Sequence, residues 1–402
     1  MVRKERNRFP VKVLLVHNAY QQPGGEDIVF AQEGQMLRDA GHEVICYQRS
    51  NWEVEKYHGL HKITLAKNTV WSSESRQDFL RVLREQKPDV VHVHNTFMMI
   101  SGSIYSACME ERIPAVQTLH NYRLLCPAAT LFRKGKVCEE CIGTSLLPSI
   151  KYGCYHDSRP TTAVVAAMVA AHRIRGTYDR EVTSYIALTN FSRSKFVEGG
   201  LPAEKIFVKP NFVDPDPHAR TGDGEYALFV GRLSPEKRVS TVLAAWKKLP
   251  HGVPIRVVGG GPDRPQLEAQ AIKDGLSNVQ FMGQLPREKT LAAINNARFL
   301  VFSSEWYENF PVTIAEAFAC RTPVIASNMG AMKEIVSDGR TGLFFTPGDS
   351  EDLAQKVEWA WNHPTKMGAM GVEARAEFES KYTAAKNYPM LMEIYQRAID
   401  AV

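Results

Sequence analysis

Short apolar runs rich in β-branched residues alternate along the chain with longer stretches whose apolar positions recur at helical spacing. The first series reads VKVLLVH (11–17), a helical stretch over Glu26–Ala40, EVICY (43–47), a second helix over Ser75–Gln86, DVVHVH (89–94), a third over Ser101–Glu111, PAVQTLH (114–120) and SYIALT (184–189). Runs that are apolar throughout mark strands covered on both faces, so they predict a parallel sheet between helical layers. A polar, proline-rich stretch, Pro210–Glu225, interrupts the pattern. Beyond it come YALFVG (226–231), a helix over Val239–Leu249, PIRVVG (254–259), a helix over Arg264–Asp274, VQFMG (279–283), FLVFSS (299–304) and PVIAS (323–327). The pattern predicts an α/β chain of two doubly wound domains joined by a linker. A ligand is expected in the cleft between them, at the carboxyl ends of the strands.

A length of 402 residues suits two domains, and 44% hydrophobic with 23% charged residues is a globular composition that excludes a disordered or fibrous chain. The longest mild apolar run, Thr161–Ala171, is about eleven residues, short of the roughly 18 that a membrane-spanning helix needs. Arg3, Lys4, Arg6 and Arg8 lead into a strand rather than the apolar core of a signal peptide, so a cytoplasmic protein is expected. The net charge of +5 is uneven, with 27 basic against 21 acidic residues over 1–205 and 22 against 23 beyond. A basic first half fits an anionic substrate, a nucleic acid or an anionic membrane surface; an ordinary solvated face is the plainer reading.

Charged residues gather where strands are predicted to end. YALFVG runs directly into Gly231 and Arg232, with Lys237 and Arg238 close behind, which puts cations at a strand's carboxyl end in a place suited to phosphate. A solvated basic turn is the plainer reading of that segment alone. Glu308 and Glu316 are separated by Asn-Phe-Pro-Val-Thr-Ile-Ala. Pro311 fits the first turn of a helix, where its missing N–H is not needed. A helix starting there turns the N–H groups of Val312 and Thr313 outward as an anion site. Glu308 then lies in the loop ahead of the helix and Glu316 inside it, placed for sugar and ribose hydroxyls, although two unrelated surface glutamates would give the same spacing. Gly24 and Gly25 offer bare backbone between the first strand and its helix, and Gly259-Gly260-Gly261 make a second such turn. His92 and His94 alternate along a strand and face one side, with His94 at its carboxyl end as a candidate acceptor contact.

Taken in order, the Gly24-Gly25 loop, VVHVH around His94, TLH ending at His120, KPNFVD with Asn211, VGRLSPEK, VVGGGP and ENFPVTIAEAFACRTPVIAS resemble the family 4 glycosyltransferases, retaining enzymes of GT-B fold that use nucleotide sugars. The match runs over nearly the whole chain, and the Glu308-x7-Glu316 spacing is its most specific part. The resemblance implies an acceptor-side Rossmann-like domain over 1–208, a nucleotide-sugar-binding one over 209–384, and a last helix, 385–402, that crosses back to the first. It also implies roles. Arg232 and Lys237 hold the donor diphosphate and stabilise it as a leaving group, Glu316 holds the ribose and Glu308 the donor sugar. Gly231 and the backbone of Asn309, Phe310, Pro311 and Val312 line the donor pocket, Gly24 and Gly25 close over the phosphates, and His120 reaches the transferred sugar. The reaction needs no metal at the diphosphate; Asp214-Pro215-Asp216 spells a DxD motif but lies in the linker. The chain departs from the family at Pro311, where many members have glycine, and at Arg321, a position just after a helix where a left-handed cap favours glycine.

Cys126, Cys138, Cys141 and Cys154 form a C-x11-C-x2-C-x12-C pattern outside the shared motifs. Four thiolates at such spacing suit a closed, structural zinc site with no open position for catalysis, and reduced thiols are the alternative. Basic residues around them, among them Arg123, Arg133, Lys134, Lys136, Lys151 and Arg159, fit a lipid-linked phosphate or peripheral contact at the inner membrane surface. The expected activity is transfer of a sugar from a nucleoside diphosphate sugar, UDP first and GDP next, to a saccharide or lipid-linked acceptor in polysaccharide or glycoconjugate assembly. The alternatives are a sugar-nucleotide epimerase of the same fold and a zinc-containing nucleic-acid-binding protein. The last lacks aromatics interleaved in its basic stretches and leaves the two glutamates unexplained, so no nucleic-acid partner is expected.

Overall fold

The computed structural model describes residues 10–21, 24–59, 61–249 and 252–402; the basic cluster from Arg3 to Arg8 lies outside them. The chain divides into two units, Met1–Thr130 with Glu139–Lys209 and Tyr388–Val402, and Leu131–Cys138 with Pro210–Asn387. The division after Lys209 lies one residue beyond the domain boundary expected at 208/209 and at the start of the stretch Pro210–Glu225. A short antiparallel hairpin, Phe132–Arg133 against Lys136–Val137, groups with the second unit, which nothing in the sequence pattern indicates.

The first unit is built on a six-stranded parallel sheet in the order Glu43–Ser50, Lys12–Ala19, Val90–Asn95, Ala115–Thr118, Ser184–Ala187, Ile206–Val208. Lys12 lies beside Glu43 on one side and Val13 beside Val90 on the other, so the strand order reverses there. Val13, Leu14, Leu15 and Val16 are wholly buried, as expected of a strand with helices on both faces. The second unit repeats the plan, in the order Val279–Gly283, Ile255–Val258, Tyr226–Val230, Ala297–Phe302, Val324–Ser327, Gly342–Phe345. Its order reverses between Tyr226–Val230 and Ala297–Phe302. Phe229, Val257, Phe299 and Ile325 pack from this sheet against Val242, Trp246 and Leu353 of the covering helices.

Expected and observed elements differ in instructive places. The third helix starts at Ile104, not Ser101, because Ser101 takes a left-handed conformation and its hydroxyl accepts from the N–H groups of Ser72 and Ser103. Pro311 is the residue before its helix, Val312–Ala319, rather than inside the first turn, since its ψ of 91° is extended. The last helix runs from Ala384 to Asp400 and accommodates Pro389. The structure adds elements that the pattern does not indicate, among them the strand Gly342–Phe345 and the helices Arg159–Arg175, Ser350–Asn362 and Pro364–Lys381. Among the described residues no helix is long and apolar enough to cross a membrane.

Candidate functional site

In the second unit the expected donor residues sit where the strand order reverses, outside the carboxyl ends of Tyr226–Val230 and Ala297–Phe302. Open α/β sheets bind ligands at such a point, because the two connections leave in opposite directions and open a crevice. The turn at the neighbouring strand end is glycine for a steric reason. Gly259 and Gly261 have φ of 144° and 156°, and a Cβ on them would lie 1.9 Å from the Gly231 carbonyl oxygen and 2.2 Å from that of Leu233. Three strand ends are thereby held backbone to backbone, with Gly231 N–H donating to the Val258 carbonyl, Leu233 N–H to that of Gly260 and Gly259 N–H to that of Gly283.

The segment after Gly231 is fixed to the loop after Phe302. Ser303 Oγ donates to the Lys237 carbonyl, Glu305 N–H to that of Glu236, and Arg238 Nε lies 2.9 Å from Glu305 Oε2. Across this seam Lys237 Nζ lies 2.5 Å from Glu308 Oε1, which also accepts from Trp306 Nε1 at 2.7 Å and Ser304 Oγ at 2.8 Å. The Lys237 ammonium further stands over the rings of Phe302 and Trp306. Arg232, by contrast, is exposed and makes no ion pair among the described residues.

The helix Val312–Ala319 leaves the N–H groups of Val312 and Thr313 without intrahelical acceptors, while that of Ile314 donates to the Pro311 carbonyl. Phe310 is buried against Tyr382, ring centroids 5.5 Å apart, and Asn309 is buried beside it. Glu316 is nine-tenths buried on this helix, and burial pushes its carboxyl from 4.5 up to about 7 against the pull of Arg287. Arg287 Nε is 3.7 Å from Glu316 Oε1, and neither Nε nor Nη2 of Arg287 has a hydrogen-bond partner among the described residues. Asp216, the second acid of the DxD letters, is held by both terminal nitrogens of Arg375 and is thereby occupied structurally.

In the first unit Gly24 is the residue before the helix Gly25–Asp39, and its N–H donates to Asp27 Oδ2 at 2.7 Å. Its φ of −122° is open to any residue, and a Cβ would meet only Asp27 Oδ2 at 3.9 Å, so the fold of this unit does not itself require glycine. His17 Nε2 lies 2.9 Å from Asp27 Oδ1. Next to Asp27, Glu26 accepts from Tyr20 Oη, and burial pushes its carboxyl from 4.5 up to about 8.

His94 is buried, 3% exposed, with Nδ1 3.0 Å from His120 Nε2 and Nε2 3.3 Å from Glu33 Oε2, so its ring backs His120. Behind it Glu33 Oε1 holds Lys209 Nζ at 2.5 Å, both side chains fully buried. His92 is bonded at Nδ1 by Tyr395 Oη and at Nε2 by Thr118 Oγ1. Burial pushes the protonation of His92, His94 and His120 down. Burial alone would push the Glu33 carboxyl up, but Lys209 and the two rings outweigh it and hold it well below its usual range. The sequence did carry a signal for Glu33: it falls on the same helical stripe as the buried Val29, Phe30, Met36 and Leu37, where a lone charge demands a partner.

Among the described residues, which include all seven cysteines, there is no disulfide; Cys126 and Cys141 are buried, Cys138 and Cys154 half-buried.

A family profile described as Glycosyltransferase Family 4 matches residues 23–217, and one described as Glycosyl transferases group 1 matches residues 212–377. An uncharacterized glycosyltransferase of Methanocaldococcus jannaschii is 25% identical over 58% of this chain and 66% of its own length. The D-rhamnosyltransferase WbpZ of Pseudomonas aeruginosa is 31% identical over 40% and 42%. The chain therefore spans from under half to just under two thirds of these relatives. The crystal structure of Anabaena HepE in complex with UDP and glucose superposes with a TM-score of 0.69 over 95% of this chain and 98% of that one, at 18% identity, a likeness of fold. Two glycosyltransferase profiles in tandem, lying on two Rossmann-like sheets, make this chain a member of the family 4 glycosyltransferases, with the GT-B fold.

Proposed function

We propose that the chain moves a sugar from a nucleoside diphosphate sugar to a saccharide or lipid-linked acceptor, with retention at the anomeric carbon, in polysaccharide or glycoconjugate assembly. The observation that carries this reading is the group at the reversal of the second sheet: exposed Arg232, the Lys237–Glu308 pair at 2.5 Å, and the open helix start at Val312. As the donor bond breaks, positive charge grows on the anomeric carbon and negative charge on the diphosphate. Fixed cations and outward N–H groups stabilise the second, so Arg232, Lys237 and the backbone of Val312 are assigned to the diphosphate. No metal is assigned there, because these groups already supply the charge. The bonds named to Glu308 all reach Oε1, which leaves Oε2 to a sugar hydroxyl. Glu316 takes the ribose, Gly231, Asn309, Phe310 and Pro311 line the donor, and His120, Gly24 and Gly25 are assigned to the sugar and phosphates.

The UDP and UDP-glucose complexes of the Anabaena protein support a nucleotide sugar as donor; a UDP sugar is proposed first, with a GDP sugar as the alternative. The cysteine spacing alone supports one structural zinc on Cys126, Cys138, Cys141 and Cys154, since the structure, which describes all four, does not gather three of their sulfurs within 4.8 Å of one another; elemental analysis of the purified protein tests it. The basic residues around that segment support peripheral contact with an anionic membrane surface.

The test of the activity is a thermal-shift series with UDP, GDP, ADP and TDP on the wild-type protein and on Arg232→Ala/Lys237→Ala. A rise in melting temperature with one nucleotide, lost in the double variant, is the expected result; no rise with any of them overturns the reading. Proton NMR of a product sugar then reads the anomeric configuration, and inversion would overturn the retaining assignment.

A further inference from the structure

Arg287 is the first residue of the helix Arg287–Asn295, which follows the strand Val279–Gly283, so it stands at the carboxyl end of the second sheet. That helix packs beside Val312–Ala319, which carries Glu316. For the helix itself the position suits arginine poorly, because a cation in the first turn faces the positive end of the helix dipole. Its guanidinium is also left incomplete. Nε and Nη2 are both buried, and neither has a hydrogen-bond partner among the described residues. These two nitrogens share one edge of the planar group and present parallel N–H bonds, and a buried donor without an acceptor destabilises the free protein.

Glu316 stands opposite that edge without closing on it. Its Oε1 lies 3.7 Å from Arg287 Nε, too far for a direct hydrogen bond, and this is its one ion pair among the described residues. Elsewhere in the same unit arginine meets carboxylate directly. Arg375 bonds Asp216 at 2.7 and 2.5 Å, and Arg238 Nε lies 2.9 Å from Glu305 Oε2. The wider spacing at Glu316 is one that a hydroxyl can bridge: at about 2.7 to 2.9 Å per bond, a single oxygen reaches both Nε and Oε1. A hydroxyl accepts as well as donates, so a carboxylate and a guanidinium side by side match it where either alone serves half of it.

We propose that Arg287 is a specificity-determining residue of the donor site, which together with Glu316 reads the ribose hydroxyls and makes the protein prefer ribonucleoside over 2′-deoxyribonucleoside diphosphates. This rests on Glu316 meeting the ribose, as assigned above. Glu316 accepts the hydroxyl proton and Arg287 donates to the hydroxyl oxygen. A deoxy position offers neither bond, so both buried partners stay unpaired, and a site built to bond a hydroxyl rejects the analogue lacking it more strongly than shape alone does.

The test uses the whole chain and isothermal titration with UDP, GDP and ADP, each beside its 2′-deoxy form. The variants are Arg287→Lys, which keeps the charge and loses the two-donor edge, and Arg287→Met, which loses both. Ligand-free thermal unfolding shows that each is folded, and either one suffices if the other is not. The wild-type protein is expected to bind its preferred ribonucleotide about a hundredfold more tightly than the deoxy form. In the variants that ratio is expected to fall about tenfold, with the loss in Arg287→Lys confined to the ribonucleotide and the deoxy form changed less than about twofold. A wild-type ratio near one overturns the proposal. So does a wild-type ratio in a folded variant, including the case in which both forms weaken equally, which would place Arg287 on the base or the diphosphate. Failure of the functional reading looks different: none of the six nucleotides binds the wild-type protein.

Discussion

Glu316 couples stability to function in a way that can be measured by changing one atom group. Its carboxyl is nine-tenths buried, its nearest cation is 3.7 Å away, and its proton affinity rises from 4.5 to about 7. A raised acid means that the folded protein holds the proton more tightly than the unfolded chain, so stability is full below about 4.5 and falls as pH climbs to about 7. At 1.36 kcal/mol per tenfold change in proton affinity, the loss reaches about 3 kcal/mol above pH 7, of which about 2 to 3 kcal/mol falls between pH 5 and pH 8. Glu316→Gln has the shape of the protonated acid and no charge to strand. In denaturant or thermal unfolding the variant is therefore expected to lie close to the wild type at pH 5 and to exceed it by about 2 to 3 kcal/mol at pH 8, while losing nucleotide affinity because the amide presents only one acceptor to a pair of ribose hydroxyls. An equal difference at both pH values would refute the reasoning. So would a variant that is less stable at pH 8.

Three further outcomes are expected. Arg321, with φ of 60°, follows the helix Val312–Ala319 in a conformation that favours glycine, so Arg321→Gly should raise unfolding free energy by about 1 kcal/mol in a denaturant titration, with no change in nucleotide binding. Gly261→Ala should cost several times that and lower the melting temperature of the second unit, since the new Cβ would lie 2.2 Å from the Leu233 carbonyl oxygen. In initial-rate assays Arg232→Ala should act mainly on donor KM, and Lys237→Ala mainly on kcat, by about a hundredfold.

Much of the fold was legible because apolar runs with helices between them can be buried in few ways. VKVLLVH, DVVHVH and YALFVG became central strands with wholly buried residues, as continuous apolarity requires. GLFF at 342–345 was missed because an edge strand of four residues carries too little pattern, and the hairpin at 132–137 because two-residue strands carry none. The donor residues were legible by family spacing, and the structure adds what spacing cannot: the Trp306 and Ser304 bonds that hold Glu308, and the Arg287 guanidinium beside Glu316. Glu33 and Lys209 are 176 positions apart, so no local pattern pairs them; only the sheet, which brings the end of Ile206–Val208 toward the first helix, makes a buried lysine and a buried glutamate into one neutral group.

The two cations at the second sheet begin from different states, and that difference divides their work. Lys237 is already compensated by Glu308 at 2.5 Å and flanked by two aromatic rings, whereas Arg232 is exposed and unengaged. An arriving diphosphate gains a new charge pair at Arg232 with nothing displaced, so the larger part of that contact is already made in the bound substrate. At Lys237 it must share an ammonium with a carboxylate, and the share going to phosphate grows as the leaving diphosphate takes up charge. An interaction that strengthens along the reaction coordinate lowers the barrier, and one that is constant only tightens binding. The ion pair that looks like a competitor for the donor is thus the feature that places Lys237 on the side of rate and Arg232 on the side of affinity.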